Sequence, residues 1–385
     1  MESCIMSTST SVLTQDQIDK YLRDGVLVVD NILSAEELKA ARDGLHETLL
    51  HHGVDTDDLE HTGHHLQKLS STNGSGGVLD IFYPSFKLDI ASNQKLFQAT
   101  QQLWKASFAQ NGESEDELIM QGKQEMYPPF GQFDTDKGYM YIDRLGYRIP
   151  TKMAEEIGED TICSLESEQP KKSKRKNTAI QRSLTPHLDC CPTNYNSTNT
   201  SKWRPIQCFV SLTDNLEPNT GGFEAAVGFH REFHQWAKER PPSTITKRDV
   251  KSGAKCRIDV PGPCVGEYTH IRPREDEHVM KLVQHVPVIS GSAVFWDNRI
   301  PHANAYKNDS LYSRAVVYCS FLPDVRINRD YVERQLEDYR LGRKPRDTWI
   351  NIYEQNSDID NNESQQQETH EFSELGRKLI GIQEW

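Results

Sequence analysis

From about residue 117 onward the helical spacing of apolar residues gives way to short apolar runs separated by Gly, Pro and Asn turns. A chain patterned in this way buries itself as paired strands. The expected fold is mainly β with flanking helices, the helices falling at residues 14–25, 34–50 and 92–109. At roughly 100–200 residues per domain, 385 residues admit two or three domains. The strand pattern, however, continues to residue 353 with only two insertions, at about 153–182 and 232–280, which favours a single domain over 14–353. A flexible leader (1–13), a polar low-complexity linker (354–370) and an apolar segment that docks back (371–385) complete the plan.

Local signals place the first elements. Thr14 and Ser34 each stand three residues before a Gln or Glu, the capping-box spacing, and Gly25 stops the first helix before Val26-Leu-Val-Val29, a short buried strand. Residues 51–80 are rich in His, Gly, Ser and Asp without periodicity and read as an extended loop. Their histidines (His51, His52, His61, His64, His65) lack any fixed ligand spacing. The basic run Lys171–Lys176 reads as a solvated loop or a lid.

Charge narrows the function. Lys and Arg number 44 against 57 Asp and Glu, a formal charge of −13, which argues against nucleic acid as a partner. No run approaches the ~18 apolar residues of a membrane span. The amino terminus lacks a secretory pattern and the chain ends in Gln-Glu-Trp, which is no peroxisomal address, so an intracellular, cytoplasmic protein is expected. Its eight cysteines are then expected to be reduced thiols.

The strongest chemical signal is Thr185-Pro-His-Leu-Asp189. Successive strand side chains alternate faces, so His187 and Asp189 point the same way and can meet one ion. An imidazole and a carboxylate are two of the three ligands of the facial triad that holds non-heme Fe(II). Downstream, Gly291–Asn304 reads as a turn, a buried strand and a loop reaching His302, the candidate third ligand. The strand that follows puts Arg314, Val316, Tyr318 and Ser320 on one face, setting a guanidinium among apolar neighbours. A buried cation requires a carboxylate partner, from a side chain or from a dicarboxylic cosubstrate.

These segments, with Leu13–Ile18, Asp24–Val29, Phe209–Phe223 and Val227–Arg231, resemble the phytanoyl-CoA dioxygenase-like family of Fe(II)/2-oxoglutarate oxygenases. The resemblance implies a double-stranded β-helix (jelly-roll, cupin-like) core. It implies His187, Asp189 and His302 as iron ligands, Arg314 on the far carboxylate of 2-oxoglutarate, and Phe209 and Asn304 beside that cosubstrate. Tyr141 and Gln207 are candidates for its second polar contact. With O2, such enzymes oxidise an aliphatic C–H and release succinate and CO2. Val227-Gly-Phe-His230 departs from the family's more usual Pro-Gly-Ser/Thr-His, and His230 reads as structural.

Arg144, Arg148, Lys202, Arg204 and Arg299 fall in segments expected near the barrel mouth. Unpaired, they would form a cationic pocket for a small carboxylate-bearing substrate, as in the kainoid synthases. Paired with Asp143, Asp134 or Asp297, they would not. A CoA-thioester hydroxylase of the phytanoyl-CoA type and a non-catalytic metal-binding barrel, sensor or scaffold, are the alternatives.

Overall fold

The structure is a computed structural model that describes residues 11–108, 114–121, 123, 126–166, 179–192, 195, 200–240, 243–248, 255–260, 267–345 and 370–385. The basic run 171–176 and residues 354–369 of the linker lie outside the described residues.

Thr14 and Ser34 close capping boxes on the helices Gln15–Asp24 and Ala35–His51, and Gly25 ends the first in the left-handed conformation (φ 69°). Asn93 caps the helix Gln94–Ser107, which buries Leu96, Leu103 and Trp104. The described residues contain thirteen strands, in chain order β1 (Val26–Val29), β2 (Val78–Leu79), β3 (Gly138–Arg148), β4 (Leu184–Leu188), β5 (Ile206–Ser211), β6 (Phe223–Ala226), β7 (Ser243–Arg248), β8 (Lys255–Val260), β9 (Thr269–His270), β10 (Val283–His285), β11 (Ala293–Asp297), β12 (His302–Asn304) and β13 (Arg314–Pro323).

They form two main antiparallel sheets. One has the order β1-β11-β5-β13-β3-β2 and the other β10-β6-β12-β4-β9, while β7 and β8 make a separate hairpin. Through β3, β4, β5 and β6, and again through β11, β12 and β13, consecutive strands alternate between the two main sheets. The larger sheet is apolar on both faces, as period-two alternation requires of a strand buried on both sides. Phe209, Val294, Trp296 and Val316 belong to one core cluster together with Phe223 and Ala225 of the smaller sheet. The alternate residues Cys208, Val210, Phe295, Ala315 and Val317 join a second cluster with Leu96, Leu103 and Trp104 of the helical layer.

Several expectations are revised. Residues 51–80 are not an irregular loop: they contain the turns Leu59–Thr62 and Gly63–Leu69 and strand β2. The last residues of the leader are held, since the backbone N–H groups of Val12 and Leu13 donate to Oε1 of Gln102 and Leu13 is buried. The insertions carry the helices Thr151–Glu166, Phe233–Glu239 and Glu277–Leu282 with β7, β8 and β9. Cys191 is disulfide-bonded, contrary to the expectation of reduced thiols, while Cys190, Cys208 and Cys319 are free. No helix among the described residues is long and apolar enough to cross a membrane.

The terminal helix Glu374–Ile380 buries Leu379 and Ile380 completely, and Trp385 Nε1 donates to the Gly138 carbonyl at 2.8 Å while its ring lies 5.5 Å from Phe97. Leu379→Ala should therefore lower unfolding stability by about 2–5 kcal/mol in a denaturant titration. A loss below about 0.5 kcal/mol, the range of surface substitutions, would mean that the helix does not dock in solution.

Candidate metal centre

β4 and β12 are neighbours in the smaller sheet, and their register sets His302 directly opposite His187. Cross-strand pairs on one face hold their Cβ atoms about 4.5–5.5 Å apart, and here the ring centroids are 4.6 Å apart. Asp189 lies two residues beyond His187, just past the end of β4, so its side chain returns to the same face. Ligand atoms of the three residues all fall within 4.8 Å of one another. Nε2 of His187 is 3.6 Å from Oδ1 of Asp189, and Nε2 of His302 is 3.5 Å from Oδ2.

The tautomers follow from the backbone. Nδ1 of His187 lies 3.0 Å from the Thr185 carbonyl and Nδ1 of His302 lies 3.0 Å from the Ile300 carbonyl. Carbonyl oxygens only accept, so each Nδ1 carries the proton and each Nε2 lone pair faces the carboxylate. Burial and the neighbouring His302 lower the pKa of His187 to about 4, keeping it neutral near pH 7. Burial alone would raise Asp189. The Arg204 guanidinium and the two facing imidazoles outweigh it and hold the carboxyl well below its usual range. Two imidazole Nε2 lone pairs and a carboxylate that converge acceptor to acceptor repel one another unless a cation sits between them. This donor set suits Fe(II) and leaves coordination positions open. A second grouping, His46 with Asp55 and Asp57, is at the surface, and His46 Nδ1 is already 2.6 Å from Thr56 Oγ1.

Arg314 is 2% exposed and opens β13. Its Nη1 donates to Oδ1 of Asn304 at 2.8 Å, its guanidinium carbon lies 5.2 Å from the Phe209 ring centre, and Nη2 has no partner. Asn304 in turn donates to the Gly76 carbonyl and the Tyr318 hydroxyl. The residues therefore fit the far end of a dicarboxylic cosubstrate: a buried guanidinium retains an unused donor beside Asn304, two residues from His302 on β12.

A cavity of about 560 Å³ opens on His187, Asp189 and His302, and Tyr141, Gln207 and Asn304 also line it. Phe209 lies behind it, under Arg314. Gln207 Nε2 donates to Asn298 Oδ1 at 2.5 Å. The proposed substrate cations behave differently from the open pocket that sequence allowed. Arg204 pairs with Asp143 at 3.2 Å and approaches Asp189 at 3.8 Å, and Arg299 pairs with Asp297 at 2.7 Å. Lys202 pairs with Glu267 at 2.6 Å and Arg144 with Asp80 at 2.8 Å. Arg148 is buried beside Arg314 and does not line the cavity. Arg204 and Arg299 thus take two of the acids named above, while Lys202 and Arg144 are neutralised by others, Glu267 and Asp80. His230 takes no part in the triad; its Nε2 lies 3.1 Å from the Leu22 carbonyl.

Sequence reasoning missed the wall made by Ser71, Thr72, Asn73 and Ser75 and the ring of Tyr268, stacked on His187 at 5.1 Å. The glycines at 74, 76 and 77 were the available signal. A Cβ on Gly77 (φ 72°) would lie 2.7 Å from the Arg148 Cα, an approach only glycine permits. Tyr268 lies in the second insertion and carries no motif.

No family model matches the chain and no curated protein matches its sequence, so the family suggested by the motifs rests on those residues alone. In fold the chain is similar to the crystal structure of GlcNAc Inducible Gene 2, GIG2 (DUF1479), from Candida albicans: TM-score 0.63 at 14% identity, covering 97% of this chain and 78% of that one. The hypothetical protein JW0805 from Escherichia coli gives 0.54 at 14% identity over 96% and 81%. At these identities the likeness concerns the fold alone. The non-heme alpha-ketoglutarate-dependent carbocyclase SnoK overlays at only 0.40, with 12% identity over 82% and 86%, too loosely to bear on chemistry.

Metal-free protein should lose stability as pH falls from about 6.5, where an unfolded histidine begins to take up a proton, to about 4, where His187 does so in the fold. The contributed slope is at most about 1.4 kcal/mol per pH unit. His187→Gln should flatten it in denaturation curves collected across that window, and an unchanged slope would show that the ring titrates normally.

Proposed function

We propose that the chain is an Fe(II)/2-oxoglutarate-dependent oxygenase of the phytanoyl-CoA dioxygenase-like type, its alternating sheets forming a double-stranded β-helix. The observation that carries this reading is the convergence of His187, Asp189 and His302 within 4.8 Å, with the unused Arg314 donor buried nearby. His187, Asp189 and His302 would hold the iron, and Arg314, over Phe209 and beside Asn304, would hold the far carboxylate of 2-oxoglutarate. Bound iron with 2-oxoglutarate and O2 supplies an oxidant for an aliphatic C–H, with release of succinate and CO2.

The chain's own residues do the rest. The Thr185 and Ile300 carbonyls fix both imidazoles, and Arg204, stacked 4.4 Å from the Tyr141 ring centre, orients the outer oxygen of Asp189. Tyr268, Trp296 and Phe223 wall the ligand side against water. A small metabolite held between these rings and the Ser71–Ser75 wall would present one carbon to the iron, so its placement selects hydroxylation, desaturation or ring closure. With every cavity-lining cation paired, an anionic group is not required of the substrate.

Anaerobic Fe(II) and 2-oxoglutarate should give a weak visible charge-transfer band, and admission of air should release succinate. Arg314→Ala should weaken 2-oxoglutarate binding by about tenfold or more while Fe(II) stays bound. Absence of both band and succinate from iron-loaded protein would instead favour a non-catalytic metal-binding barrel.

A further inference from the structure

β3 and β13 pair so that Arg148 stands directly opposite Arg314. Residues opposed in this way project to the same face, and both are 2% exposed. Their partners are neutral. Arg314 has the Asn304 side-chain oxygen, and Arg148 has the backbone carbonyls of Arg182 and, at 3.4 Å, Tyr306. Nε of Arg148 and Nη2 of Arg314 have no partner, and neither guanidinium pairs with a carboxylate among the described residues. Burial and the adjacent Arg314 charge lower the pKa of Arg148 to about 10. Two like charges buried side by side are unfavourable unless an anion joins them.

The place that an anion would occupy is marked by the walls. Asn304 lines the cavity and touches Arg314. Ser75, also in the lining, bridges to Arg182, whose carbonyl accepts from Arg148. Gly77 lets this segment pass directly over the Arg148 backbone. The two arginines thus stand behind the cavity lining, Arg314 against Asn304 and Arg148 against the segment that bridges to Ser75.

We infer that Arg148 acts with Arg314 as a two-cation seat for the far carboxylate of the 2-oxo dicarboxylate, rather than as the substrate contact expected from its place in the sequence. This rests on the function proposed above. Its consequence is selectivity: the pair should reject 2-oxo acids that carry the chelating head but no second carboxylate.

The full-length protein loaded with Co(II) would be titrated calorimetrically with 2-oxoglutarate and with 2-oxobutanoate, which lacks the far carboxylate. Wild type should bind 2-oxoglutarate much more tightly. Arg148→Met should narrow the ratio of the two dissociation constants by about tenfold, and Arg148→Lys, which keeps a charge but not the fork, should narrow it less. A merely structural role would weaken both ligands equally, and an unchanged ratio overturns the inference. Should Arg148→Met not fold, Arg148→Lys decides: a narrowed ratio supports the seat and a wild-type ratio overturns it. Arg314→Met separates the two levels. If it narrows the ratio and the Arg148 variants do not, only this inference falls; if it does not, the 2-oxoglutarate reading itself is wrong.

Discussion

The antiparallel register between β4 and β12 is the constraint from which the site follows. Setting His302 opposite His187 fixes two Nε2 atoms on one face of the smaller sheet, and the alternation of β4 adds Asp189 to the same face. A slip of one residue in either strand would turn an imidazole to the other side. The register is held because both neighbours of β12 are paired: β6 matches His302 with Ala225 on one edge while β4 matches it with His187 on the other. The larger sheet then closes over this face with Phe209, Trp296 and Val316, so the ligands lie between two layers rather than on a surface loop.

Charge is distributed in two different ways around that centre. At the mouth, Arg204 with Asp143, Lys202 with Glu267 and Arg144 with Asp80 are mutually neutralised, which makes the wall a structural frame more than an attractor. Inside, the balance is left incomplete. Three acceptors converge on one point, and the guanidiniums of Arg148 and Arg314 meet no carboxylate among the described residues. A folded chain tolerates a few such unmet groups at the site where a ligand meets them. Their opposite signs, at adjacent places, match a metal and the distal carboxylate of a chelating dicarboxylate.

The first three helices were legible because their signals are local: Thr14 and Ser34 with their partners three residues on, Gly25, and the apolar stripe through Trp104. The grouping of the candidate ligands was legible for a similar reason, since alternation within one strand decides where His187 and Asp189 point. What escaped was long-range. Whether Arg204 and Lys202 are free depends on Asp143 and Glu267, each more than sixty residues distant in sequence. Arg148 looks like any exposed arginine until β3 is paired with β13. The Ser71–Ser75 wall and Tyr268 reach the cavity from segments whose local pattern says only loop. The disulfide at Cys191 likewise has no spacing signature.

The central claim is that His187, Asp189 and His302 bind one metal ion. Crystals of the protein grown with Co(II) and measured across the cobalt absorption edge test it most directly. The account predicts a single strong anomalous peak about 2.0–2.2 Å from the two Nε2 atoms and one Asp189 oxygen, distances taken from comparable imidazole and carboxylate ligation. An ion bound instead at His46, Asp55 and Asp57, with no peak between the two facing imidazoles, would contradict it.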